Sequence, residues 1–323
     1  MNVSDARARF GRPIKRVVVK VGTTSITKLN GDPDRSRMQT IASQLGAQVQ
    51  AGVDVVLVSS GAIAAGMSPL GFDKRPTDMP SLQAAAAVGQ RRLMDLWATF
   101  IEPSGPLVSQ ILLTRFDIVQ RKHYLNARNT MQKLLELGCI PIVNENDSVA
   151  TEEIRYGDND LLAALVANIV SADLLIVLSD VDGLYASHLA GEKPEVIERV
   201  DRIDESTMAL AKGSSGLGSG GMASKLEAAR IATRSGVAVV IAPSRQADVI
   251  GDLVEGKGIG TYFPASSKRI PARKLWIAYA PEARGKIFVD NGAVDALVTE
   301  IRVCSQLVLT RSKGPSMQAT RFS

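Results

Sequence analysis

The sequence predicts an α/β fold: a doubly wound, mainly parallel sheet sandwiched between helices. Two observations carry this. Short β-branched runs are almost wholly apolar, as strands covered on both faces must be. Between them lie segments with helical periodicity, and strands alternating with helices build parallel βαβ units.

The elements follow in order. RVVVKVG (16–22) reads as a buried strand, and DRSRMQTIASQLGAQVQAG as an amphipathic helix with a glycine stop. VDVVLVSSG is a strand, PSLQAAAAVGQRRLMDLWATF a helix, PLVSQILLT a strand and LNARNTMQKLLELG a helix. CIPIVNE, ADLLIVLSD and VAVVIAP complete the strands, with DLLAALVANIVS and GMASKLEAARIATRSG as the helices between them. The pattern weakens after Pro264. The expected organisation is a flexible segment (1–14), a main domain (15–264), a linker (265–275) and a small β-rich segment (276–323). The last stretch, IRVCSQLVLTRSKGPSMQATRFS, lacks a clear period and is expected to be poorly ordered.

Composition narrows the function classes. The 323 residues are 45% hydrophobic and 22% charged, enough for a sizeable core. The net charge of +5 is scattered, which suits small anionic ligands and gives little reason to expect nucleic acid. Two cysteines, Cys139 and Cys304, form no disulfide framework, and a cytoplasmic location is expected. Cys139 is expected to be buried. Two distant histidines make no metal site, and no apolar run is long enough for a membrane helix.

The chemistry gathers at strand ends, where ligands of such folds bind. The first strand carries Lys20 and ends in Gly22, Thr23 and Thr24, where backbone amides can approach phosphate oxygens. The second ends in Ser59, Ser60 and Gly61, a helix start or an ordinary serine cap. CIPIV runs into NENDSVATEEIRYGDND (144–160), with six carboxylates. One of Asp158, Asn159 and Asp160 must cap the following helix, and capping needs only one. LLIVLSD ends in Ser179 and Asp180 before an Asp-Gly turn. Gly216, Gly218 and Gly221 fit G-x-G-x-x-G, but a helical pattern precedes them, so this is no dinucleotide fingerprint. Five glycines in nine positions (213–221) lead instead to Lys225 on the next helix. Two lysines, two small-residue loops and an acidic loop suit phosphoryl transfer, which is mainly positioning and charge neutralisation. The carboxylates would orient the lysines or hold Mg²⁺.

VVVKVGTTS, SSGAIAAGM, LNARNT, NENDSVATEEIRYGDND and SGLGSGGMASK together resemble the glutamate 5-kinases of the amino-acid kinase family, from about Lys15 to about Phe263. The resemblance implies ATP-dependent phosphorylation of the L-glutamate γ-carboxylate, the first step of proline synthesis, with ATP and Mg²⁺ as cofactors. It implies Lys20 and Lys225 on the phosphates, and Ser60, Asp147 and Asn159 around glutamate. Ser179, Asp180 and the run Ser219, Gly220, Gly221, Met222, Ala223, Ser224 and Lys225 would bind ATP. Asp158 and Asp160 would organise the lysines or the metal. Mg²⁺ would be held through the ATP phosphates. Proline as feedback inhibitor and a homo-oligomer, dimer or tetramer, are implied as well. RGKIFVDNGAVDAL resembles the start of a PUA domain, and the match fails after about Glu300, so an incomplete PUA segment is expected. The alternatives are another family member acting on acetylglutamate, aspartate or a nucleotide, and an RNA-binding or regulatory protein that uses the PUA remnant.

Overall fold

The computed structural model describes residues 10–11, 13–28, 31–149, 159–186, 195–211, 221–257, 260–266, 286–289 and 309–313. Two compact units divide the chain, Met1–Ile277 and Ala278–Ser323.

In the first unit the elements run β1 (Arg16–Val21), α1 (Thr23–Ile26), α2 (Arg35–Gln50), β2 (Asp54–Ser59), α3 (Ala62–Met67) and α4 (Met79–Ile101). Then come β3 (Val108–Leu113), α5 (Arg115–Val119), α6 (Arg121–Glu136), β4 (Ile140–Glu145), α7 (Asn159–Ile169) and β5 (Leu174–Ser179). The unit ends with α8 (Glu205–Leu210), α9 (Met222–Arg234), β6 (Ala238–Pro243), α10 (Val249–Val254) and β7 (Thr261–Phe263). The seven strands are ordered β3-β4-β2-β1-β5-β6-β7. All neighbours are parallel except β6 and β7. The connection leaving β1 goes to β2 and the one leaving β5 goes to β6, in opposite directions. The crevice between the carboxyl ends of β1 and β5 is therefore the switch point at which doubly wound sheets bind ligands.

Strand alternation sorts the two faces. Val17, Val19 and Val21 of β1, Leu57 of β2, Ile140 and Ile142 of β4, and Ile176 of β5 pack into one core cluster with Met38, Ile41, Leu93 and Trp97. That face carries α2 and α4. Lys20 alternates with these valines and so points to the opposite face, where α7 and α9 pack. Register is held at the amino ends. The Asp173 carboxylate accepts from the amides of Lys15 at 2.9 Å and Arg16 at 3.0 Å. The Arg16 guanidinium bonds Asp54 at 2.7 Å. This register sets Lys20 beside Val58 and Val177.

The pair α3–α4 shows why SSGAIAAGM and AAAAVGQ are rich in small residues. A Cβ on Gly66 would lie 1.9 Å from the Ala85 carbonyl oxygen, and one on Gly89 would lie 1.8 Å from that of Ala62. The two helices touch backbone to backbone, and no larger residue fits at either contact.

Several expectations need correction. The helices α1, α5 and α10 and the strand β7 were not expected; each is too short to show a period. Ser59 and Ser60 do not cap α3: Gly61, at φ 100°, occupies that position without a side-chain bond. Asn159 and Asp160 do not precede α7 but form its first turn. Cys139 is half-buried rather than buried, because it lies in the turn before β4 begins. In the second unit, the stretch expected to be poorly ordered contributes β9 (Leu309–Lys313), which pairs antiparallel with β8 (Lys286–Val289).

Candidate active site

Three charged side chains meet at the switch point. Lys20 comes from β1, Asp160 from the first turn of α7, and Lys225 from the first turn of α9. Asp160 is 0% exposed, Lys20 3% and Lys225 7%. One Asp160 carboxylate oxygen pairs with the Lys20 ammonium. The other lies 3.2 Å from Lys225 Nζ and accepts from Ser224 Oγ at 3.3 Å. Burying charge is costly unless the charges are paired. Among these three groups one carboxylate serves two ammonium groups, a sum of one positive charge. Such a site is matched to an anion that spreads negative charge over several oxygens, as a phosphoryl group does.

A second group of buried side chains adjoins the first and is uncharged. Asn159, the residue before Asp160, donates through Nδ2 to the Ser59 carbonyl at 2.8 Å and to Asn144 Oδ1 at 2.7 Å. Asn144, at the end of β4, donates through its own Nδ2 to Gln90 Oε1 at 2.8 Å, and its Oδ1 also accepts from the Glu145 amide at 2.9 Å. From the same helix as Gln90, Trp97 donates Nε1–H to Ser59 Oγ at 3.1 Å. Ser59 Oγ in turn donates to the Ser60 carbonyl at 3.1 Å. With both amide hydrogens of Asn159 engaged, its Oδ1 is the group able to accept from a ligand cation.

The other expected residues fall around these two groups. Ser60 is half-buried at the mouth of β2, its amide bonded to the Val21 carbonyl at 3.0 Å. Asp147 is half-buried in the turn just past β4, where Val149 N–H donates to the Asn146 carbonyl at 3.2 Å. Ser179 is buried at the end of β5 and supports the local turn: Oγ donates to Asp180 Oδ1 at 3.2 Å, and its carbonyl accepts from Ser244 N–H at 2.7 Å. Asp180 is exposed at the sheet edge. Gly221 opens α9, with buried Met222 and exposed Ala223 in its first turn. Asp158, Ser219 and Gly220 lie outside the described residues.

Sequence reasoning missed Gln90, Trp97 and the role of Asn144. A signal existed. Ala86, Gln90, Leu93 and Trp97 form one buried stripe of α4, and a glutamine in such a stripe needs a polar partner.

Among the described residues no three His, Cys, Asp or Glu side chains are grouped to hold a metal ion. Asp160 turns both oxygens toward ammonium groups, which makes it a poor cation ligand. The described residues therefore offer no dedicated metal cage, and they fit a Mg²⁺ that arrives on ATP phosphates.

A model of the amino acid kinase family matches residues 15–243. The glutamate 5-kinase of Mycolicibacterium vanbaalenii is 47% identical over 303 residues, covering 94% of this chain and 82% of the relative. That of Salinispora arenicola is 48% identical over 287 residues, covering 88% and 77%. That of Moorella thermoacetica is 47% identical over 285 residues, covering 88% and 75%. A solved UMP kinase from Bacillus anthracis superposes with a TM-score of 0.55 at 15% identity, over 79% of this chain and 98% of that one, and shares the fold. The chain belongs to the amino acid kinase family, beside its glutamate 5-kinases.

Proposed function

We propose that the protein transfers the γ-phosphoryl group of ATP to the γ-carboxylate of L-glutamate, giving L-glutamyl 5-phosphate and ADP. A carboxylate oxygen attacks the γ-phosphorus, and the bond to the ADP oxygen breaks. The observation that carries this reading is the buried Lys20–Asp160–Lys225 cluster beside the amide of Asn159.

Attack of one anion on another must overcome repulsion. Lys20 and Lys225, both drawn to Asp160, offset it by bringing positive charge to the transferred group. Mg²⁺, bound through the phosphates, would neutralise further charge there. Glutamate is oriented by its α-ammonium, for which Asp147 and Asn159 Oδ1 are acceptors, and Ser60 lies on the same side. Asp180, just past β5, and Ser224 and Lys225 of α9 are assigned to ATP. Asp158 is assigned to the same organising role as Asp160. The place of the reaction in proline synthesis, feedback inhibition by proline, a cytoplasmic location and a homo-oligomeric state belong to the same reading.

The test is acyl phosphate formation, trapped as the hydroxamate, with Mg-ATP and each candidate acceptor. Glutamate-dependent product, suppressed by proline, is expected. Product from acetylglutamate or aspartate but not from glutamate would overturn the assignment.

A further inference from the structure

We infer that Gln90 is a positioning residue that sets the polarity of the glutamate-binding amide of Asn159, an inference that rests on the glutamate reading above. An amide side chain can face either way, and the direction decides whether it offers a donor or an acceptor. Three buried amides are chained here. Gln90 Oε1 accepts from Asn144 Nδ2 at 2.8 Å, which turns Asn144 Oδ1 away from α4. That oxygen accepts from the Glu145 amide at 2.9 Å and from Asn159 Nδ2 at 2.7 Å. The remaining Asn159 amide hydrogen goes to the Ser59 carbonyl at 2.8 Å. The carbonyl oxygen of Asn159 is thereby left for the ligand, and an ammonium group requires an acceptor. Turning Asn144 over would set its Nδ2 against two other donors.

Two further observations support the role. Gln90 follows Gly89, whose backbone contact with Ala62 fixes this turn of α4. Gln90 Nε2 is buried and has no hydrogen-bond partner among the described residues. An unsatisfied donor destabilises a fold by ~1–3 kcal/mol. A methionine of similar shape would avoid that cost, so packing alone does not account for a glutamine here. The acceptor it offers Asn144 does.

The test is steady-state kinetics of the full chain, varying glutamate and ATP separately. Gln90→Met removes the acceptor and should raise KM for glutamate about tenfold or more, the scale of one hydrogen bond to a charged group. KM for ATP and kcat should change less than about threefold on the same scale. Gln90→Glu keeps the acceptor and should restore glutamate KM. Adding Gln90→Met to Asn159→Ala should raise KM no further, because the two act in series. If Gln90→Met does not fold, the shorter Gln90→Leu carries the same expectation. Equal changes in both KM values, failure of Gln90→Glu to restore, or additive effects with Asn159→Ala would each overturn the role of Gln90. A wild-type protein that makes no acyl phosphate from glutamate would overturn the proposed function instead.

Discussion

Asn159 and Asp160 are consecutive residues at the start of α7, yet they serve two regions of opposite character. Asp160 reaches Lys20 and Lys225 on the face of the sheet that carries α7 and α9. Asn159 reaches over the strand ends to Asn144, whose partner Gln90 belongs to α4 on the other face. The first region is charged and the second neutral, although both are buried. A phosphoryl group can be gripped by net positive charge from several directions. An amino acid carries both signs and must be oriented, which is work for directional hydrogen bonds. One helix end can hold both regions because successive residues near a helix N-terminus project about 100° apart.

The comparison breaks most severely at its hinge. Asp160→Asn should remove a buried carboxylate that two ammonium groups share and destabilise the protein by ~3–5 kcal/mol. Denaturant unfolding would measure it. A loss below ~1 kcal/mol, as for exposed pairs, would mean that the lysines are not held by this carboxylate. Next in size, Lys225→Ala should lower kcat by about 10²–10³, the scale of losing one group that stabilises developing charge. The protein should stay folded, since Asp160 keeps Lys20. A near-normal kcat would remove Lys225 from the charged region's function.

The glutamate side of the site, where Asp147 adjoins the neutral region, predicts a different signature. Asp147→Ala should raise KM for glutamate about tenfold or more and leave KM for ATP nearly unchanged, through loss of a hydrogen bond to a charged group. Equal effects on both substrates would dissolve the distinction between the two regions.

The two regions also differed in how far they could be read in the sequence. Lys20, Asp160 and Lys225 stand out there because a lysine inside VVVKVG and a carboxylate abutting LLAALVANIV contradict their apolar surroundings. Strand alternation and the order of the elements then bring them together. The long strands and helices were legible for the same reason: their periods extend over many residues. The amide relay was not legible. Gln90 lies 54 positions from Asn144, and Asn144 lies 15 from Asn159, so their pairing depends on the tertiary fold. Amides also carry no charge to mark them in a pattern. The contact between α3 and α4 through Gly66 and Gly89 was not legible either, since it too depends on the tertiary fold.

The smallest predicted effect concerns a carboxylate outside both regions. Asp204 caps α8, the short helix from which the chain enters the glycine-rich segment. The Ser206 hydroxyl bonds it at 2.6 Å and the Thr207 amide at 3.0 Å. These bonds, the Ser206 hydroxyl first, favour the ionised form and lower its pKa from 3.8 to about 2. The folded state therefore binds this proton less readily than the unfolded one. Its contribution to stability is fully present above 3.8 and is lost as pH falls toward about 2. Asp204→Ala should unfold slightly earlier than wild type at neutral pH, and the two acid-unfolding curves should converge as pH approaches 2. Glutamate and ATP KM values at neutral pH should not separate, because this carboxylate faces solvent and neither substrate region. A selective rise in either KM would show that α8 is coupled to one region after all, and ATP would be the substrate to implicate, since α8 leads toward Lys225.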